Sequence, residues 1–132
     1  MAWTINNGQL YFNTLLRSGT GSSVTAITGV GFQPDLIWQK KRSGTSSHHI
    51  TDSVRGATKL LYTEITAAEQ TNANYVQSID SDGFTMGSAD WGTGDTVVAW
   101  NWKAGTSFTN DASATGIGTI DSAGSVNQDA GF

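Results

Sequence analysis

Apolar and polar residues alternate along several short stretches of the chain, and this alternation predicts β-strands rather than helices. The predicted strands cover residues 9–17, 24–28, 34–41, 75–79, 84–86 and 96–103, with further short strands between residues 49 and 61. Gly-rich and polar turns separate them. Several short strands at short intervals predict an all-β protein, an antiparallel β-sandwich of jelly-roll-like form.

Residues 96–103 form the strongest of these predicted strands. Val98, Trp100 and Trp102 share one of its faces, opposite Val97, Ala99 and Asn101. Tryptophan buries a large apolar area, so Trp100 and Trp102 are predicted to fill the core together with Trp38.

Two local patterns predict connections between the strands. Residues 80–83 (DSDG) predict a tight turn that joins two strands into a hairpin. Residues 66–69 (TAAE) fit the capping-box pattern, but no apolar run of helical period follows, so at most one or two helical turns are expected.

The composition changes at Lys103. All five tryptophans and every lysine and arginine lie at or before it, whereas 17 of the 28 residues in 105–132 are Gly, Ala, Ser or Thr. We therefore divide the chain into a β-sandwich body, 1–104, and an extended C-terminal arm, 105–132. Single apolar residues are spaced along the arm, namely Phe108, Ile117, Ile120, Val126 and Phe132. The arm is either a disordered linker or a segment that packs on a neighbouring subunit, for example by strand addition to an exposed edge.

Charge is divided unevenly along the chain. Residues 1–62 carry a net charge of +4 and residues 63–132 a net charge of −8, which gives −4 for the whole. The two halves can attract each other within one subunit or between neighbours. The overall acidity argues against nucleic-acid binding, and no segment resembles a signal peptide or a membrane span.

One loop contains the side chains of a Ser-His-Asp site, namely Ser47, His48, His49, Asp52 and Ser53. Five residues along one loop rarely give the placement that catalysis needs, so we predict no catalytic residue and no enzymatic activity.

Metal binding is also not predicted. Adjacent histidines on a strand point to opposite faces, and the chain has no cysteine. Asp80 and Asp82 begin like a calcium loop, but the twelfth position is Trp91 instead of glutamate. A calcium site of another kind remains open, and no cofactor is expected.

Two residues are candidates for interaction. Arg55 is predicted to pair with Asp52 and pin a segment between strands, although a receptor or subunit contact is the alternative. Trp91 lies in a predicted loop between Asp90 and Gly92. If it is exposed there, it could stack on a sugar ring or insert into a neighbour.

Four segments together resemble a known family. They are residues 29–38 (GVGFQPDLIW), 52–59 (DSVRGATK), 81–85 (SDGFT) and 98–105 (VAWNWKAG). In this order they resemble a family of modules in tailed-bacteriophage genomes, whose members occur in virion-associated proteins. The resemblance covers residues 10–105 and implies a β-sandwich module of a phage particle. It supplies no catalytic residues.

The resulting hypothesis is a non-enzymatic virion structural protein, a small capsid decoration (cement) or tail-associated subunit. It would be assembled in the host cytoplasm and bind copies of itself and other virion proteins. The alternative is a carbohydrate- or receptor-binding module of a tail fibre, with a host surface glycan as partner. The predicted interaction residues are Trp91, Arg55, Phe108, Ile117, Ile120 and Phe132.

Overall fold

A computed structural model describes residues 7–132, and they are almost entirely β-structure. The strands are β1 (Phe12–Ser18), β2 (Thr25–Thr28), β3 (Leu36–Lys41), β4 (His49–Asp52), β5 (Lys59–Tyr62), β6 (Gln70–Thr71), β7 (Val76–Asp80), β8 (Gly83–Met86), β9 (Thr96–Trp102), β10 (Thr106–Asn110) and β11 (Ser122–Val126). A 3-10 turn (Gly8–Leu10) precedes β1, and a short helix, α1 (Ala112–Thr115), lies between β10 and β11. Within residues 7–132 no helix has the length and apolar character needed to cross a membrane.

The strands form three antiparallel sheets. The largest has six strands in the order β1-β9-β3-β4-β5-β6, and the second has three in the order β2-β8-β7. The third consists of β10 and β11 alone. The predicted turn at residues 80–83 is confirmed, since β7 and β8 pair as a hairpin that ends at Asp80 and Gly83.

The six-stranded and three-stranded sheets pack face to face, which confirms the antiparallel β-sandwich. Their shared core contains Ile37 and Ala99 from the larger sheet and Val76, Phe84 and Met86 from the smaller one. Side chains alternate between the faces of a strand, so this contact defines the inner face of each sheet.

The prediction that the tryptophans fill this core is wrong. Trp38 and Trp100 are half-buried, and they alternate with the fully buried Ile37 and Ala99. They therefore lie on the opposite side of the six-stranded sheet, as does Trp102. Both faces of β9 carry apolar residues, and the smaller side chains fit against Phe84 and Met86 of the facing sheet.

The extended C-terminal arm is not confirmed. Residues 106–126 fold back on themselves, because β10 pairs with β11 from Thr106↔Val126 to Asn110↔Ser122. Asp111 caps the intervening helix by accepting hydrogen bonds from the N–H groups of Ser113 and Ala114. We call residues 106–126 the C-terminal hairpin. The division of the chain at residue 104 stays a prediction.

Residues 66–69 form no helical turn, which lies within the prediction of at most one or two turns. Glu69 instead forms ion pairs with Arg55 (3.0 Å) and Lys59 (3.5 Å). No amphipathic run follows the capping-box pattern, so nothing in the sequence stabilises a longer helix here.

Candidate functional site

The side of the six-stranded sheet that faces away from the sandwich carries most of its large side chains. We call it the outer face. Its members are Phe12, Thr14, Leu16, Leu36, Trp38, Lys40, Ile50, Asp52, Leu61, Val98, Trp100 and Trp102. Direct cross-strand partners share a face, so the register places them together.

Aromatic pairs organise the outer face. The Trp38 and Trp100 ring centroids lie 5.4 Å apart, and those of Phe12 and Trp102 lie 5.0 Å apart. Leu16 is 66% exposed at one end of the face. The Lys40 ammonium is held by the Ser46 carbonyl at 3.2 Å. A contiguous apolar surface of this kind marks an interaction site in soluble proteins.

The C-terminal hairpin borders the other end of the outer face. A groove of about 450 Å³ lies between them, with Leu36, Val54 and Trp102 on the body side and Gly124 and Phe132 on the C-terminal side. The hairpin is tied to the body by the Gly105 N–H, which donates to Asp35 (2.9 Å). The side chain of Asn127 also donates to the carbonyl of Lys103 (3.2 Å). The groove thus continues the apolar surface of the outer face.

A buried ion pair lies at the end of the sandwich away from the hairpin. Arg17 donates to both carboxylate oxygens of Asp90, at 2.6 and 3.0 Å, and to the side-chain oxygen of Gln39 at 2.7 Å. The Thr20 N–H adds a hydrogen bond of 2.8 Å to Asp90. Burial alone would raise the pKa of the Asp90 carboxyl, but the bonds from Arg17 and Thr20 hold it below its usual value. This pair fixes the loop that carries Trp91.

Next to this ion pair, three aromatic rings surround His49. Trp91 stacks on the imidazole with centroids 5.1 Å apart and planes 14° apart. Tyr75 and Tyr62 meet it edge-on, at 4.6 and 5.5 Å. Burial lowers the pKa of His49, more than the nearby carboxylates Glu64 and Asp90 raise it.

A small concavity opens beside these rings. It measures about 250 Å³ and is lined by Ser46, Ser47, His49, Tyr62, Tyr75, Ala89, Asp90 and Trp91. We call it the aromatic cleft. Trp91 is oriented by its indole N–H, which donates to the Ser46 hydroxyl at 2.8 Å.

Comparison with known proteins gives one match. A family model described as a domain of unknown function, DUF7483, matches residues 7–132. The chain belongs to this family. No curated protein and no solved structure matches it at a significant level. The matched region includes the outer face, the aromatic cleft and the C-terminal hairpin, so all three belong to the family's domain.

The structure corrects the expectation that Trp91 is an exposed loop residue. Trp91 is half-buried, its ring stacks on His49, and the Arg17 guanidinium lies 5.9 Å from its centroid. A Cβ on Gly19 would collide with the Trp91 carbonyl oxygen, which shows how closely the two backbones approach. Tertiary contacts therefore hold Trp91, and it does not offer a free ring face as a platform.

The predicted pairing of Arg55 with Asp52 is confirmed. The Arg55 Nε donates to Asp52 at 2.6 Å, and one terminal nitrogen donates to Glu69 at 3.0 Å. Burial alone would lower the pKa of Arg55, but its hydrogen bonds to Asp52 and Glu69 raise it. Arg55 lines the groove beside the C-terminal hairpin, so pinning this segment also shapes that groove.

The apolar points predicted on the arm are exposed to different extents. Ile117 and Ile120, at the tip of the hairpin, are 69% and 78% exposed. Phe108 is 49% exposed and packs on Gly124, where an added Cβ would lie 2.6 Å from its ring. Phe132 reaches the groove. The structure thus places Phe132 at the groove between the C-terminal segment and the body, and leaves the hairpin tip in solvent.

His48 and His49 point to opposite faces, as the strand spacing predicts. The His48 ring lies 6.2 Å from Trp38 on the outer face, whereas His49 packs against Trp91 on the inner side. Asp52 is held by Arg55. The five polar residues of this loop are therefore not brought together as a Ser-His-Asp arrangement.

The two aspartates of the calcium-like loop bind protein groups. Asp82 accepts hydrogen bonds from the N–H groups of Gly31 (2.6 Å) and Gly29 (3.0 Å), which lower its pKa. Asp80 accepts from the hydroxyls of Ser78 and Thr85. Within residues 7–132 no three His, Cys, Asp or Glu side chains converge as metal ligands.

Proposed function

We propose that this member of the DUF7483 family is a non-enzymatic structural subunit of a bacteriophage particle, a capsid decoration or tail-associated protein. The outer face carries the proposal, because it presents aromatic and aliphatic side chains on the side of the sheet that the sandwich does not cover. The phage setting is supported by the resemblance of residues 29–38, 52–59, 81–85 and 98–105 to virion-associated modules.

The composition of the outer face suits a protein–protein contact. Interface centres are enriched in aromatic residues and depleted of charge. Three tryptophans lie here, and the charged members are Lys40 and Asp52, of which Asp52 is paired with Arg55. Covering such a surface contributes about 25 cal/mol per Å² of apolar area. The proposed mechanism is therefore burial of this face against a neighbour in the particle.

The proposed partners are further copies of this chain and other virion proteins, met during assembly in the host cytoplasm. The groove beside the C-terminal hairpin extends the contact surface, with Leu36, Trp102 and Phe132 as its apolar walls. The groove is also lined by Asp35 and by the ion-paired Asp52 and Arg55, so a neighbour that covers the outer face would meet these polar groups beside the apolar walls.

Cosedimentation of the purified chain with capsids and with tails tests the proposal. We compare Leu16→Glu with Val24→Glu. The two positions are similarly exposed, at 66% and 61%, but only Leu16 belongs to the outer face. The wild type and Val24→Glu are expected to sediment with one of the two structures, and Leu16→Glu to stay in the supernatant. Equal binding by both variants, at equal thermal stability, would contradict the proposed surface.

A further inference from the structure

The aromatic cleft lies on the inner side of the six-stranded sheet and takes no part in the outer-face contact. Four aromatic residues line it, namely His49, Tyr62, Tyr75 and Trp91, together with Ser46, Ser47, Ala89 and Asp90. Small-molecule sites combine apolar walls with a few polar groups in this way. The volume of about 250 Å³ restricts the occupant to a single small ring.

His49 supplies a second observation that points to a ligand. Its side chain lines the cleft and is 7% exposed, yet its Nδ1 atom is buried and has no hydrogen-bond partner among the described residues. Buried polar groups in native proteins are nearly always hydrogen-bonded, so such an atom needs an explanation. A ligand that brings hydroxyl groups to this ring would supply both donors and acceptors.

The ion pair that borders the cleft is already neutralised, which favours a neutral ligand at this wall. The Asp90 side chain is fully buried, and its carboxylate is occupied by Arg17 and Thr20. Arg17 is occupied in turn by Asp90 and Gln39. With both charges already paired, neither an anion nor a cation finds a free counter-charge in this ion pair.

We propose that the aromatic cleft binds one neutral pyranose ring, the terminal sugar of a glycan. The C–H groups of the ring would contact Tyr62 and Tyr75, and its hydroxyls would bond to Ser46 and Ser47. A pyranose combines an apolar face with several hydroxyls, which matches aromatic walls that carry polar tips. This site is separate from the outer face and does not depend on the assembly function.

Backbone amide NMR of the full chain, titrated with a panel of neutral methyl pyranosides, tests the proposal. At least one sugar is expected to shift the amides of Ser46, Ser47, Ala89 and Trp91 at millimolar concentration. A glycan array then tests whether the protein binds glycans that end in the same sugar. If no sugar shifts these amides, or if the shifts lie elsewhere, the proposal is wrong.

Two tyrosine variants locate the binding. Tyr75→Ala removes a cleft wall, whereas Tyr11→Ala removes a half-buried tyrosine outside the cleft. Tyr75→Ala is expected to weaken binding about tenfold and Tyr11→Ala to leave it unchanged. Equal effects of the two variants would overturn the assignment.

Two further variants keep the test decisive. If Tyr75→Ala does not fold, Ser47→Ala replaces it as the smaller change, again with weaker binding expected. Leu16→Glu should bind the sugar like the wild type, because Leu16 lies on the outer face. Failure of sugar binding is therefore distinguishable from failure of assembly.

Discussion

The two faces of the six-stranded sheet differ in the size of their side chains and in what covers them. The inner face carries Ile37 and Ala99, both 0% exposed, against the second sheet. The outer face carries Trp38 and Trp100, which remain half-buried. The largest rings of the sheet therefore lie outside the sandwich. These aromatic side chains do not fill the core, and their exposure to water is unfavourable. They are therefore available to contact a partner.

The inner face also holds buried polar residues, whereas the outer face is mainly apolar. Gln39 and Asn101 are 1% and 0% exposed, and both have hydrogen-bond partners. Gln39 accepts from Arg17, and Asn101 donates to the carbonyls of Asn13 and Ala99. Such bonds favour one register of the strands, because a shift would leave buried polar groups unpaired. The inner face thus specifies the fold, and the outer face is free to serve another purpose.

The largest expected effect comes from breaking the ion pair on the inner side. Arg17→Met should lower the free energy of unfolding by about 3–5 kcal/mol, because it leaves the buried Asp90 carboxylate without its main partner. Urea denaturation measures this loss. Arg42→Met is the control, since Arg42 is exposed, and its effect should stay within about 0.5 kcal/mol.

A matched pair of apolar truncations compares the two faces directly. Ile37→Ala should cost about 2–5 kcal/mol, because it leaves a cavity in the core. Leu16→Ala should cost less than about 1 kcal/mol, since Leu16 is 66% exposed. Both are measured by chemical denaturation. Similar losses at the two positions would show that the outer face is needed for folding.

Acidification should weaken the fold through His49. Burial lowers its pKa in the folded state, so the unfolded chain takes up the proton at higher pH. The stability from the neutral imidazole is therefore complete above a pH of about 6.5 and is lost as the pH falls towards the folded-state pKa. The slope should reach at most about 1.4 kcal/mol per pH unit. Denaturation midpoints measured from about pH 8 to about pH 5 give this slope, because histidine titrates in this range.

His49→Phe provides the comparison for this pH effect. The variant keeps an aromatic ring against Trp91 but has no titrating group, so the same pH series should give a flatter curve. If the wild type and His49→Phe lose stability in parallel, the acid sensitivity has another source.

The smallest effect is expected at the tip of the C-terminal hairpin. Ile117→Ser and Ile120→Ser should each change the free energy of unfolding by less than about 0.5 kcal/mol, because both side chains are largely exposed. Thermal denaturation provides the measurement. A cost above about 1 kcal/mol would mean that the tip packs on the body.

Sequence alternation predicted the strands well, because it is a local property. The predicted strands at residues 34–41 and 96–103 correspond to β3 and β9 within two residues at each end. Alternation does not decide which face is covered when both are apolar. On β9 the covered face is the one that packs against Phe84 and Met86 of the other sheet. The large size of the tryptophan side chains instead led to the wrong prediction that they fill the core.

Other features depended on contacts that a linear pattern does not contain. The ion pair between Arg17 and Asp90 joins residues 73 positions apart and determines the place of Trp91. The aromatic cleft likewise assembles residues from β4, β5 and three loops. In the C-terminal hairpin the pairing of β10 with β11 was missed, because both strands consist mainly of small polar residues that resemble a linker.

Hydroxyl-radical footprinting of the chain, free and bound to the particle, tests the central claim most directly. We predict that Phe12, Trp38, Trp100 and Trp102 are oxidised in the free chain and protected in the bound one, while Tyr62 and Tyr75 in the aromatic cleft change little. Equal oxidation of the four outer-face rings in both states would contradict the claim that this face attaches the chain to its neighbours.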